Sequence, residues 1–253
     1  MVHSEMKKIS TKQLRLRWTD EKIERMRTIL PESGFPKVQG SSLSIPRDLV
    51  GTIEHDGRQY VDLRGFPLGT VAFIHDQDLD FSFAKSPEEA HYGIFLWECD
   101  LTGCMFESAQ NVGKIIGTLT KCSFTAARME KVFIKAKIDD CNFEDAKLRN
   151  GRCYDSVFRR CTFRNANLVK AEFGRVTFEN CDFRGAKFGI GAILECRFVG
   201  CNLSDVDLAD TMRDEETFYD LGCQLDGLRC VSSRRIYGFD TDMGPPPQKR
   251  AEA

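Results

Sequence analysis

Cys141, Cys161, Cys181 and Cys201 return every twenty residues. Thiols in such a column could ligate a soft metal or stack into disulfides. The wider cysteine pattern argues against both. Eleven cysteines make an odd count, and the 253-residue chain is far longer than the usual disulfide scaffold. No two cysteines stand as CxxC, so zinc-ribbon and thioredoxin-like arrangements find no support. A cysteine is also a small apolar residue that fits under a bulky neighbour. That use is expected here, because thiols packed among phenylalanines lack the solvent and positive charge that lower a thiol pKa.

Other chemistry is sparse. The histidines are His3, His55, His75 and His91, and none pairs with another at metal-ligand spacing. His75 with Asp76 and Asp78 is the one acidic-histidine cluster, and a loop position accounts for it more simply than catalysis does. GxSxG, HExxH, a Walker loop and a strand-preceded GxGxxG are all missing. The glycines of GAKFGIGAIL fall in the repeat described next. The expectation is a protein that is not an enzyme, with no metal and no cofactor.

A five-residue period positions the cysteines. From 133 to 208 every fifth residue is apolar, and nine of these sixteen centres are Phe. Two places before each centre stands a small or apolar residue, Lys131 excepted. A helix repeats every 3.6 residues and a strand every 2, so neither explains a period of five. Two inward residues separated by one outward residue make a short strand, and the remaining two turn the chain. Arg164-Asn165 and Arg184-Gly185 are suited to such corners. So short a strand is stable only when coils stack, which is a solenoid. The cysteine interval sets the coil at twenty residues, four sides of five. The next column is Ala146, Ala166, Ala186 and Val206.

AKLRN, ANLVK, CNFED, CDFRG and CNLSD resemble the pentapeptide-repeat family, whose units read A-[D/N]-L-x-x. The resemblance covers residues 94–210 well and 61–83 loosely. It implies an all-β fold, a right-handed quadrilateral parallel β-helix. The expected core is Phe143, Phe163, Phe183 and Leu203 over Cys141, Cys161, Cys181 and Cys201.

The chain divides into an N-terminal extension over 1–48, a solenoid over 49–210, a partly helical cap over 211–243 and a tail over 244–253. In the extension, Thr19 should cap a helix with Ile23, Met26 and Leu30 on one face, ended by Pro31 before a linker. Asp56-Gly57 marks a hairpin. AQNVGKIIGTL, short of a full set of fives, reads as a shortened or bulged side. Cys104 and Cys122 then join the cysteine column if the missing residues are absorbed at corners. A short helix starting at Ser86 should loop out of the coil. GPPPQKRAEA should be disordered.

Net charge is −2, and no uncharged apolar run is long enough to span a membrane. The start, MVHSEMKKIS, lacks an apolar signal core, so a cytoplasmic protein is expected. With no cleft expected, the outer wall is the candidate surface. Lys147, Arg164, Arg184 and Lys187 should form a basic stripe along it. Residues 1–30 are basic and 205–216 acidic, a polarity that could guide docking or head-to-tail association. The expected role is a scaffold, adaptor or inhibitor that binds another protein. Some pentapeptide-repeat proteins mimic duplex DNA with an acidic rod and bind type II topoisomerases. Residues 131–210 carry 14 Lys and Arg against 12 Asp and Glu, which departs from that pattern. Nucleic-acid binding through the stripe is the third reading. An acidic helical end would also resemble the dimerising ends of some family members, implying a homodimer through 211–243.

Overall fold

The structure, a computed structural model, describes residues 10–29, 50–72, 75–86, 93–214, 216–229, 233–236 and 239–242. The expected linker, the helix after Ser86 and the tail lie outside the described residues.

From residue 140 the chain turns at every fifth residue. Asp140, Asp145, Asn150, Asp155, Arg160, Asn165, Lys170, Arg175, Asn180 and Gly185 all have φ between 48° and 73°. Left-handed backbone is cheap for Gly and tolerable for Asn and Asp, which explains the polar corners. Four corners close one coil, and each side pairs in parallel with the side twenty residues on. Phe158 pairs with Phe178 and then Phe198, and Phe173 pairs with Ile193. The result is a parallel β-solenoid of about seven turns. Its walls are numbered here by one coil: first 141–145, second 146–150, third 151–155, fourth 156–160.

Two aromatic ladders fill the axis. Phe106, Phe124, Phe143, Phe163 and Phe183 stack at 4.9–5.1 Å between ring centroids. Phe158, Phe178, Phe198 and Tyr219 stack at 4.8–5.2 Å. The ladders meet edge to face, as at Phe158 and Phe163, 5.4 Å apart at 67°. Leu203 continues the first ladder and is fully buried. Each buried ring is worth roughly 1.5–3 kcal/mol by area and about 1 kcal/mol more by ring contact.

The early coils are shorter. Ile94–Thr102, Val112–Thr120 and Phe133–Asp139 are single strands that run straight through one corner. Losing that corner removes one residue from each coil, and one more is lost between Gln110 and Lys114, so Cys104, Cys122 and Cys141 align although they stand 18 and 19 apart. Their neighbours Met105, Ser123 and Asn142 pair in series. The short side is also bulged, with a register shift between Leu96 and Cys99. Gly117 faces it with φ 136°, and a side chain there would meet the Cys99 carbonyl.

Phe133 corrects the sequence register. It is not an inward centre: Val132, Ile134, Ala136 and Ile138 are buried in simple alternation. Phe133 faces outward, with the Lys114 ammonium 5.4 Å from its ring centre. Without a corner after Ile134 the inward period is two, which shifts the fives by one.

The C-terminal boundary is also corrected. Residues 211–214 and 216–229 do not form a partly helical cap but continue the solenoid. Thr211–Arg213 pairs with Gly191–Ile193, and Phe218–Tyr219 with Arg197–Phe198. Gln224 and Arg229 bridge to Asn202 and Asp207. The coil absorbs two extra residues between Cys201 and Cys223, one between Arg213 and Phe218 beside Asp214 and one between Tyr219 and Gln224. The Asp214 carboxylate accepts the Glu195 and Thr217 backbone N–H groups at 2.8 and 2.9 Å. Ser233–Ile236 and Phe239–Asp242 form an antiparallel hairpin beyond it.

The N-terminal end is capped by helices, α1 (Thr11–Leu16) and α2 (Asp20–Ile29). Ser10 and Gln13 form a capping box for α1, which the sequence reading did not foresee. Thr19 Oγ1 accepts the Lys22 N–H at 3.4 Å, and Met26 is fully buried, as the helix reading expects. Arg17 donates to both Asp62 carboxylate oxygens at 2.6 and 2.7 Å and to its carbonyl at 2.8 Å. Trp18 Nε1 donates to the Arg64 carbonyl at 2.9 Å. Open strand edges invite aggregation, and these contacts satisfy the Asp62 and Arg64 carbonyls at the first coil's edge. The hairpin turns at Asp56-Gly57, both with positive φ as a type I′ turn requires.

Candidate interaction surface

Cys141, Cys161 and Cys181 each sit two residues before an inward ring and Cys201 two before Leu203, and each of the four thiols lies within reach of two carbonyls. Cys141 Sγ lies 3.3 Å from the Asp139 oxygen and 3.6 Å from that of Leu119. Cys161, Cys181 and Cys201 repeat the pattern at 3.3–3.5 Å. Burial pushes the Cys153 and Cys196 thiols up to about 12, and raises Cys181 as well. Among the described residues, no group of three His, Cys, Asp or Glu side chains could hold a metal ion.

The described acidic-histidine contact is not the one the sequence suggests. The His75 and Asp76 side chains lie outside the described residues, while Asp78 pairs with Arg58. Instead, His55 Nε2 lies 2.9 Å from Asp80, whose other oxygen accepts the Ser82 N–H. With Asp62, Arg64 and Arg17 this makes a charged joint between hairpin, first coil and N-terminal helices. His55 stands 25 residues from Asp80, so no local motif announces the pair.

On the outer walls, coil spacing sets the charge pattern. Arg160 pairs with Asp140 at 2.6 Å and Arg175 with Asp155 at 2.7 Å, in each case exactly one coil away. Arg159 and Glu179 do the same at 2.7 Å. The Arg160 hydrogen bond holds the Asp140 carboxyl below its usual range.

The expected basic stripe is not continuous. Arg164 and Arg184 lie on the first wall and share Asp182, at 3.8 and 2.6 Å. Lys147 and Lys187 lie on the second wall, in register through Asn167. There they join cations that the sequence reading left out. Arg128 pairs in register with Lys147, and the Lys131 N–H donates to the Arg149 carbonyl. Lys170 occupies the next corner below Asn150. Arg128, Lys131, Lys147, Arg149, Lys170 and Lys187 are all exposed. They occupy three different places within the five-residue unit, so only the cross-section gathers them. Below them, Asp205, Asp207 and Asp210 border an open cleft of about 380 Å³ that Lys187 also lines, over Val169 and Gly189.

This geometry defines a class: a four-walled parallel β-solenoid with a filled axis. Residues 132–165 and 156–189 match the family model for pentapeptide repeats, in eight copies. Through this stretch the chain carries pentapeptide repeats. No curated protein matches it. Solved structures similar to it include HetL, a pentapeptide repeat protein involved in heterocyst differentiation regulation from the cyanobacterium Nostoc sp. strain PCC 7120. That match has 12% identity and a TM-score of 0.29, and covers 70% of this chain and 94% of HetL. A trypsin-treated form of QnrB1, a plasmid-mediated fluoroquinolone resistance protein, matches at 17% identity and TM-score 0.35, covering 66% and 85%. Rfr23, a pentapeptide repeat protein from the cyanobacterium Cyanothece 51142, matches at 12% and 0.21, covering 62% and 87%.

Proposed function

We propose that this solenoid is a non-catalytic protein-binding rod, acting as a scaffold, adaptor or inhibitor. The filled axis supports the reading. Rings and thiols occupy the interior, and the thiols are spent on backbone carbonyls. Polar side chains are left on long, flat walls held by stacked strands, a rigid surface with little ordering cost on binding. DNA mimicry by an acidic rod finds less support. Arginines alternate with the acids of the third and fourth walls and neutralise them in pairs.

The test is affinity capture by the immobilised full chain from native lysate, followed by mass spectrometry and reconstitution with the purified candidate. A protein that binds the chain stoichiometrically in reconstitution is the expected result. Failure of every captured candidate to reconstitute overturns the reading.

A further inference from the structure

We propose that the second wall docks an acidic segment of a partner protein, an assignment that rests on the protein-binding function above. Arg128 and Lys147 are direct neighbours on adjacent coils, and Lys147 and Lys187 are separated only by Asn167. None of the six cations on this wall forms an ion pair with an acid among the described residues. On the other walls Arg152, Arg159, Arg160, Arg164, Arg175 and Arg184 do, while Arg197 lies over the Phe218 ring. Like charges on neighbouring strands destabilise a sheet. Glu130 stands on this wall opposite Arg149, and Lys187 is in register with Asp207. Six cations against one acid over these four coils remain an excess for which folding gives no reason, whereas an anionic partner does.

The wall also bounds what can bind. Its cations extend over four coils, roughly 15 Å, about the length of a four- or five-residue extended segment. The same wall then turns acidic at Asp207 and Asp210, with Asp205 at the first wall's corner beside them, around a cleft over Val169 and Gly189 that Lys187 also lines. Asp207 pairs with Arg229 at 3.1 Å. A phosphate backbone continuing along the wall would meet these carboxylates, and the chain's net charge is −2. An acidic peptide segment followed by one basic residue matches both ends. Its carboxylates pair with the cations, and its basic side chain enters the cleft.

The probe is a labelled peptide of about eight residues, glutamates followed by one arginine, read by fluorescence anisotropy with the full chain at about 50 mM salt. Lys147→Glu with Lys187→Glu should weaken binding about tenfold or more, while Lys137→Glu on the fourth wall should change it less than about twofold. Circular dichroism checks that all variants remain folded. No binding by the wild-type chain, or equal losses in the two variants, overturns the proposal. So does tighter binding of a DNA duplex of equal charge, which would give the wall to nucleic acid. A native partner held equally by wild type and by the double variant removes this wall assignment but leaves the protein-binding function intact.

Discussion

Ser156 and Thr217 explain the cysteines. They occupy the same inward place on the fourth wall, and their hydroxyls donate to the Tyr154 and Ile193 carbonyls at 2.8 and 3.0 Å. A thiol at this place does the same more weakly, while filling the space beneath a ring. Cys161→Ala should therefore cost about 1 kcal/mol, and Phe163→Ala about 3–5 kcal/mol because it breaks the ladder. Chemical denaturation reads both. With Cys153 and Cys196 pushed up to about 12, these thiols should resist a thiol reagent at about pH 8 until the chain unfolds. Corner strain gives a converse prediction. Ala126 is exposed and held at φ 55°. Ala126→Gly should raise stability by about 0.5 kcal/mol, against the usual sense of that change.

At the scale of elements, the Arg17–Asp62 joint holds the helical cap on the first coil. Burial alone would raise the Asp62 carboxyl, but Arg64 and Arg17 outweigh it and hold the group far below the carboxylate range. Its folded pKa is depressed, so its contribution is complete above about pH 4, the unfolded value, and fades as pH falls toward the folded one. Hydrogen exchange should show residues 10–29 losing protection on acidification before the rings of the rod do. Arg17→Ala should produce the same loss at neutral pH. Unchanged protection in that variant would mean that apolar packing of Leu14, Trp18 and Met26 suffices to hold the cap.

For the whole molecule, the quadrilateral cross-section makes coils interchangeable. Deleting residues 161–180 removes one coil and brings Cys181 into register above Cys141, so a shorter rod should still unfold cooperatively. Deleting residues 161–175 removes three sides and leaves one out of register, and should abolish that transition. Thermal unfolding followed by circular dichroism distinguishes them. The charge segregation has a whole-molecule cost too. Lys147→Glu should raise stability by about 0.3 kcal/mol by relieving repulsion from Arg128, at the expense of binding.

Periodicity carried much of this architecture into view. The fives over 138–208 specify the walls and corners, because an inward residue at each step must be apolar and a corner must tolerate positive φ. Pattern reading failed where the count of five failed. Phe133 was misplaced because the strand runs through its corner, and the segment after 210 looked like a cap because two extra residues, one beside Asp214 and one after Tyr219, break the fives there. The second wall was half legible. Lys147 and Lys187 share one register, but Arg128, Lys131, Arg149 and Lys170 reach the wall from other offsets or across a shortened coil. Local sequence thus determined which residues face the axis, since that depends on near neighbours alone. Which charges stand together was decided by the stacking of coils some twenty residues apart, a relation that exists only once the chain is wound.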